Sequence, residues 1–159
     1  GSLPPEVGGE AAAGINARWR MFRYAPGAVY RPHVDGSWPG SGVDGAERYT
    51  ADAFGGDRRS RVTFLIYLND GFRGGETNFY VLPTEESRKK GLERVAIRPK
   101  AGCVLCFPQG NTATLVHEGS AVTGGPDTYK YVVRTDVLYY VAKAHTPNGV
   151  NGRGGSTFH

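Results

Sequence analysis

The chain has 159 residues, enough for one compact domain with a sizeable core, and it carries a net charge of +4. Short basic clusters such as Arg58-Arg59 and Lys89-Lys90 do not form a stripe that would bind nucleic acid, so the excess charge indicates at most a preference for anionic ligands. The 24 glycines and 10 prolines argue against a helical bundle, and no apolar run reaches the length of a membrane span.

The first part of the chain is predicted to form a lead-in, two strands and a long connection. Residues 1–16 are rich in Gly, Ala and Pro, and we expect a loose N-terminal lead-in. Side chains alternate over 17–24 as in a strand, and a second strand is predicted over 29–35 after a turn. The polar stretch 36–59 is interpreted either as a mobile loop over a substrate or as a surface insertion.

The second part of the chain is predicted to consist mainly of strands. The clearest is 62–68, where Thr63, Leu65 and Tyr67 share one face. Further strands are predicted at 76–81, 95–98, 102–107, 112–117 and 129–142. We therefore expect a mainly β fold, a double-stranded β-helix or jelly roll of about eight core strands with few or no helices. This domain is predicted to span 17–144, followed by a flexible tail at 145–159.

Two cysteines, Cys103 and Cys106, lie in an apolar run. In a strand they would point to opposite faces, which disfavours a disulfide between them, and no partners for a zinc site are nearby. We interpret them as buried thiols, which favours a reducing compartment such as the cytoplasm.

Three side chains are candidates for a metal site. His33 and Asp35 share a face at the end of a predicted strand, and His117 ends another, whereas His145 and His159 lie in or beside the tail. Two histidines and one carboxylate hold Fe(II) and leave three open positions, two for a chelating co-substrate and one for dioxygen. The alternatives are an incidental ion pair at a strand end and a zinc site, because the same ligands also bind zinc.

Lys130 begins the longest predicted strand. A lysine directed into an apolar sheet has a large desolvation cost, which an anionic ligand would offset. The alternative is an edge lysine whose ammonium reaches solvent. Arg134 follows on the same face and is a second candidate for this anchor, since a planar guanidinium can hold a carboxylate through two hydrogen bonds.

Several stretches stand in a characteristic order along the chain: YAPGAVYRPHVD at 24–35, TFLIYLND at 63–70, GGETNF at 74–79, PKAGCVLCF at 99–107, HEG at 117–119 and KYVVRTD at 130–136. With them, residues 18–140 resemble the Fe(II)- and 2-oxoglutarate-dependent dioxygenases, in particular the prolyl 4-hydroxylase-like branch. The resemblance implies that the iron ligands are His33, Asp35 and His117. It implies that the residues contacting 2-oxoglutarate are Lys130, Tyr67, Tyr24 and, as a replacement or assistant for the lysine, Arg134.

The same resemblance implies the activity and the cofactors. The expected enzyme uses Fe(II), 2-oxoglutarate and O2, with ascorbate as a candidate stimulant, and hydroxylates an unactivated C–H bond while releasing succinate and CO2. A peptidyl proline is the first substrate to consider, and free amino acids or small metabolites are the alternatives. No nucleic acid or membrane partner is expected. A different class of protein, a non-catalytic jelly-roll or cupin-like binding module, would use the same pocket without chemistry.

Overall fold

The computed structural model describes residues 2–82, 91–110, 115–125 and 127–141. The elements in these ranges are all strands: β1 (Glu6–Val7), β2 (Glu10–Ile15), β3 (Arg20–Tyr24), β4 (Tyr30–His33), β5 (Gly42–Val43), β6 (Tyr49–Thr50), β7 (Arg58–Tyr67), β8 (Arg73–Gly74), β9 (Thr77–Val81), β10 (Glu93–Ile97), β11 (Val104–Pro108), β12 (Val116–Gly119), β13 (Val122–Thr123) and β14 (Lys130–Tyr140). In the part of the chain so described, no helix is long and apolar enough to span a membrane.

The long strand β14 organises the larger of two antiparallel sheets. That sheet has six strands in the order β1-β2-β14-β7-β11, and β3 also pairs with β14. β7 pairs with one side of β14 over Val132–Tyr140, while the other side pairs with β3 over Lys130–Arg134 and with β2 over Val137–Tyr139. The second sheet has four strands in the order β10-β9-β12-β4, and two short ribbons, β13-β8 and β5-β6, complete the described topology.

Aromatic side chains join the two sheets. Phe79 of β9 and Phe107 of β11 are buried, and their ring centroids lie 5.1 Å apart. The ring of His117, on β12, lies 4.6 Å from that of Phe107. The predicted mainly β jelly roll is confirmed, and because the sheets meet at these rings, His117 is placed between them.

The first residues differ from the loose lead-in expected at 1–16. They contain β1 and β2, the backbone NH of Asn16 donates to the Asp136 carbonyl at 2.8 Å, and the Tyr139 hydroxyl donates to the Pro4 carbonyl at 2.9 Å. Strand pairing uses backbone groups, so a stretch poor in large apolar side chains can still join a sheet. The predicted tail at 145–159 lies outside the described residues.

The polar stretch 36–59 is folded against β7. The backbone of Trp38 donates to the Ser60 hydroxyl at 2.8 Å, and the Ser60 backbone NH donates back to the Trp38 carbonyl at 2.8 Å. Further along, Gly40 donates to the Arg58 carbonyl at 2.9 Å. The stretch therefore forms a hydrogen-bonded insertion that includes the β5-β6 ribbon.

The expectation of buried thiols is wrong, because Cys103 and Cys106 are both free and exposed. β11 is the last strand in the order of its sheet, and its side chains alternate between the core, as at Phe107, and the uncovered outer face. Cys106 lies on the uncovered face of β11, whereas Cys103 precedes the strand in which it was expected. The sequence gives the alternation of a strand but not which of its faces is covered.

Candidate metal centre

Three predicted ligands meet at the junction of β4 and β12. His33 ends β4, His117 lies opposite it in the strand register, and Asp35 follows β4 directly. One ligand atom from each residue lies within 4.8 Å of the others. The Nε2 atom of His33 is 3.4 Å from Oδ1 of Asp35, and that of His117 is 3.7 Å from Oδ2. The three side chains predicted as metal ligands therefore lie together in the structure.

Backbone carbonyls set the tautomer of both imidazoles. The Nδ1 atom of His33 lies 2.8 Å from the Arg31 carbonyl, and that of His117 lies 3.1 Å from the Leu115 carbonyl. Because a carbonyl only accepts, each Nδ1 carries the proton and each Nε2 presents its lone pair to the cluster. Burial also lowers the pKa of His117, which favours its neutral form. Both rings are therefore prepared to act as ligands.

The carboxylate of Asp35 is buried and held on one side. Its Oδ2 atom accepts from the Thr63 hydroxyl at 2.6 Å and lies 2.8 Å from Nη2 of Arg134. Behind Thr63, the Gln109 amide donates both to the threonine oxygen at 2.8 Å and to Asp136 at 2.6 Å. The sequence analysis did not predict that these groups support Asp35. A polar residue beside or within an apolar strand, as at Gln109 and Asp136, is the feature from which such a role could have been inferred.

Lys130 lies deep between the sheets, with 5% of its surface exposed. Its Nζ donates to the Gly75 carbonyl at 2.6 Å and sits 5.4 Å from the ring of Tyr24 and 5.5 Å from that of Tyr67. Desolvation lowers the lysine pKa from 10.5 to about 8, partly opposed by the charge of Glu76. The edge-lysine alternative does not apply to this geometry.

Gly75 shapes the wall beside this lysine. It has a φ of +68°, and a Cβ added there would lie 2.9 Å from the Phe72 ring and 3.3 Å from Cδ of Lys130. A glycine is thus required both by the backbone conformation and by the close approach of the lysine stem.

A single cavity connects the metal ligands with the lysine. Its lining includes all three ligands, Lys130, Arg134, Tyr24 and Thr77. Tyr67 is not among the described lining residues, and its hydroxyl instead shares a hydrogen bond of 2.8 Å with Thr77. Burial raises the pKa of both tyrosines, so their hydroxyls remain protonated donors at neutral pH. The predicted site residues other than Tyr67 therefore line one cavity, and Tyr67 contacts it through Thr77. His145 and His159 lie outside the described residues.

Comparisons with known proteins identify the family of the chain. The model of the 2OG-Fe(II) oxygenase superfamily matches residues 19–141. A search of curated protein sequences finds no significant match.

Solved structures with some similarity include a Pseudomonas putida prolyl-4-hydroxylase (19% identity, TM-score 0.44, covering 81% of this chain and 53% of that one). Another is an oxidoreductase of the 2OG-Fe(II) oxygenase family from Burkholderia pseudomallei (18% identity, TM-score 0.45, covering 79% and 42%). The chain spans about half the length of these proteins. Since the family model covers most of the sequence, including every predicted ligand and Lys130, the chain belongs to the 2OG-Fe(II) oxygenase superfamily.

Proposed function

We propose that this chain is a Fe(II)- and 2-oxoglutarate-dependent dioxygenase that hydroxylates an unactivated C–H bond, with a peptidyl proline as its first candidate substrate. The reaction consumes the substrate, 2-oxoglutarate and O2, and yields the hydroxylated product, succinate and CO2. The observation that carries the proposal is one cavity with a two-histidine, one-aspartate cluster on its wall and a buried lysine further in.

The side chains present fit the metal. Two imidazole nitrogens and one carboxylate form the donor set of non-haem Fe(II) oxygenases. Nε2 of His33 is buried and has no hydrogen-bond partner among the described residues, as expected of an atom reserved for a ligand. Bound Fe(II) supplies the dioxygen chemistry; the residues of the chain position the reactants and limit access of water.

Lys130 supports 2-oxoglutarate as the co-substrate. A buried ammonium that faces two aromatic rings and one carbonyl gains most from an anion, because it has lost its hydration without gaining an ion pair to any residue in the described part of the chain. A dicarboxylate held there by one end can direct its other end toward the cluster of His33, Asp35 and His117. The hydroxyls of Tyr24 and Thr77 line the same cavity and can donate to a carboxylate.

A second groove, lined in part by Arg18, Trp19 and Trp38, supports a peptide rather than a small metabolite as the substrate. Its aromatic members are exposed: Trp19 at 53%, Trp38 at 40% and Tyr49 at 55%. The backbone of Trp38 is fixed to Ser60, and the Arg18 guanidinium stacks 4.1 Å from its ring centroid, so this wall is organised. Aromatic-lined grooves bind extended proline-containing segments, whose backbone is already restricted before binding.

The first test is spectroscopic and does not need a substrate. Purified protein mixed with Fe(II) and 2-oxoglutarate without oxygen should develop the weak visible charge-transfer band of an iron-bound keto acid. His33→Ala should abolish this band and, in a separate assay with oxygen, succinate formation, while keeping a cooperative unfolding transition. Val34→Ala, at a half-exposed position between two ligands, is the matched control and should retain both. Absence of the band in folded wild-type protein would refute the co-substrate assignment and favour a binding module.

The second test addresses the substrate. Succinate release is measured with proline-containing peptides, matched peptides carrying alanine in place of proline, and free amino acids. Stimulation by the proline peptides alone is expected, with hydroxylation located by mass spectrometry. Stimulation of succinate release by free amino acids alone would show that the substrate is a small molecule rather than a peptide.

A further inference from the structure

The two oxygens of the Asp35 carboxylate lie in different surroundings. Oδ2 accepts a hydrogen bond of 2.6 Å from the Thr63 hydroxyl and forms an ion pair with Nη2 of Arg134 at 2.8 Å. Oδ1 faces Nε2 of His33 at 3.4 Å. Oδ2 also lies 3.7 Å from Nε2 of His117, so both oxygens border the metal cluster. Among the described residues, Oδ2 is the oxygen that is in addition held by Thr63 and Arg134, whereas Oδ1 has no such donor.

The direction of the threonine proton follows from its neighbours. The Gln109 amide nitrogen donates to Oγ1 of Thr63 at 2.8 Å and to Oδ1 of Asp136 at 2.6 Å. Because an amide NH2 group only donates, Thr63 is an acceptor toward Gln109, and its own proton is available for Asp35. Thr63, Gln109 and Asp136 have no exposed surface, so water does not compete for these bonds.

Arg134 is engaged by carboxylates of the protein itself. Its Nη2 lies 2.8 Å from Asp35 and 3.8 Å from Asp136, and only 8% of the residue is exposed. A guanidinium already paired in this way has little to gain from the distal carboxylate of a co-substrate. Its position fits a group that holds Asp35 in place.

We propose that Thr63 and Arg134 are positioning residues that clamp Oδ2 of Asp35 and thereby make the aspartate a one-oxygen ligand through Oδ1. This inference rests on the proposed function and deepens it. If both carboxylate oxygens bound the iron, the aspartate would occupy one of the positions needed for the keto acid and dioxygen. Removal of the groups that orient a metal-binding carboxylate commonly weakens the affinity for the metal.

The test compares two substitutions at one position. Thr63→Val removes the hydroxyl at nearly constant volume, and Thr63→Ser retains it. Fe(II) dissociation constants are measured anaerobically by titration, and thermal unfolding of the metal-free proteins is followed in parallel. Thr63→Val should weaken Fe(II) binding by about 10- to 100-fold, with Thr63→Ser close to wild type.

The outcomes separate positioning from plain structural support. If Thr63→Val lowers the melting temperature and leaves the Fe(II) affinity unchanged, the clamp is only structural and the inference is wrong. If Thr63→Val does not fold, Arg134→Lys decides by the same titration, because a lysine keeps the charge and cannot reproduce the guanidinium geometry. A wild-type protein that binds no Fe(II) would overturn the proposed function itself, whereas equal binding by wild type and variants would overturn this inference alone.

Discussion

One face of β14 holds two buried cations in opposite surroundings, one at the first residue of the strand and one four residues further on. Lys130 has 5% of its surface exposed and donates to a backbone carbonyl between two tyrosine rings. Arg134 has 8% exposed and lies between the carboxylates of Asp35 and Asp136. Among the described residues Lys130 forms no ion pair, and Glu76 acts on it only at longer range.

This difference indicates different roles for Lys130 and Arg134, although the strand periodicity places both on the same face. A cation that is buried without a counter-ion weakens the ligand-free protein and becomes favourable when an anion arrives. A cation paired with buried carboxylates fixes the groups that it touches, and its removal destabilises the ligand-free protein because a carboxylate is left buried without compensation. Lys130 is therefore suited to bind a co-substrate, and Arg134 is suited to hold the metal ligand Asp35 in place.

The largest expected effect concerns the stability of the metal-free protein. Arg134→Met should lower the free energy of unfolding by about 3–5 kcal/mol, because it leaves the buried Asp35 carboxylate without the guanidinium that lies 2.8 Å away. Lys130→Met should raise it by about 1 kcal/mol at neutral pH, because a desolvated ammonium is removed. Urea denaturation of both variants checks the opposite signs. Equal destabilisation by the two substitutions would contradict the assignment of different roles to Lys130 and Arg134.

The next effect concerns affinity for 2-oxoglutarate. Loss of one member of a buried charge pair costs about 3 kcal/mol, so Lys130→Met should weaken 2-oxoglutarate binding by about 100-fold at saturating Fe(II). Arg134→Lys should change it only a few-fold under the same conditions. Titration of the anaerobic charge-transfer band measures both constants. The reverse order would identify Arg134 as the anchor and Lys130 as a supporting residue.

The smallest effect is a dependence on pH. Lys130 has a pKa lowered to about 8 in the ligand-free protein, so the ammonium predominates below that pH and is lost above it. Affinity for 2-oxoglutarate should accordingly be nearly constant below about pH 7.5 and fall about tenfold per pH unit well above pH 8. Lys130→Arg, whose side chain stays charged, is the control and should lack this decline. An unchanged slope in that variant would assign the titration to another group.

The sequence was sufficient for the parts of the site that depend on local spacing. His33 and Asp35 share a face because they are two residues apart on an extended segment, and Lys130 begins β14 as expected. His117, which was expected to end a strand, lies within β12. The mainly β fold followed from the same alternation.

The rest of the site depends on pairing between distant strands. Thr63 lies opposite Phe107 on β11 and opposite Asp136 on β14, and this register brings Gln109, just beyond β11, into the network behind Asp35. Periodicity gives the face of a residue but neither its partner across the sheet nor its depth. For the same reason it gave no basis for separating Lys130 from Arg134.

The pairing of the first residues with β14 bears on the tendency of the protein to associate. Val137–Tyr139 has β2 on one side and β7 on the other, so both edges of that segment are covered by a neighbouring strand. A version shortened to begin at residue 17 would uncover this edge next to the apolar run of β14. Unpaired strands of that kind recruit further strands, so the segment that carries no ligand of its own protects the molecule from aggregation.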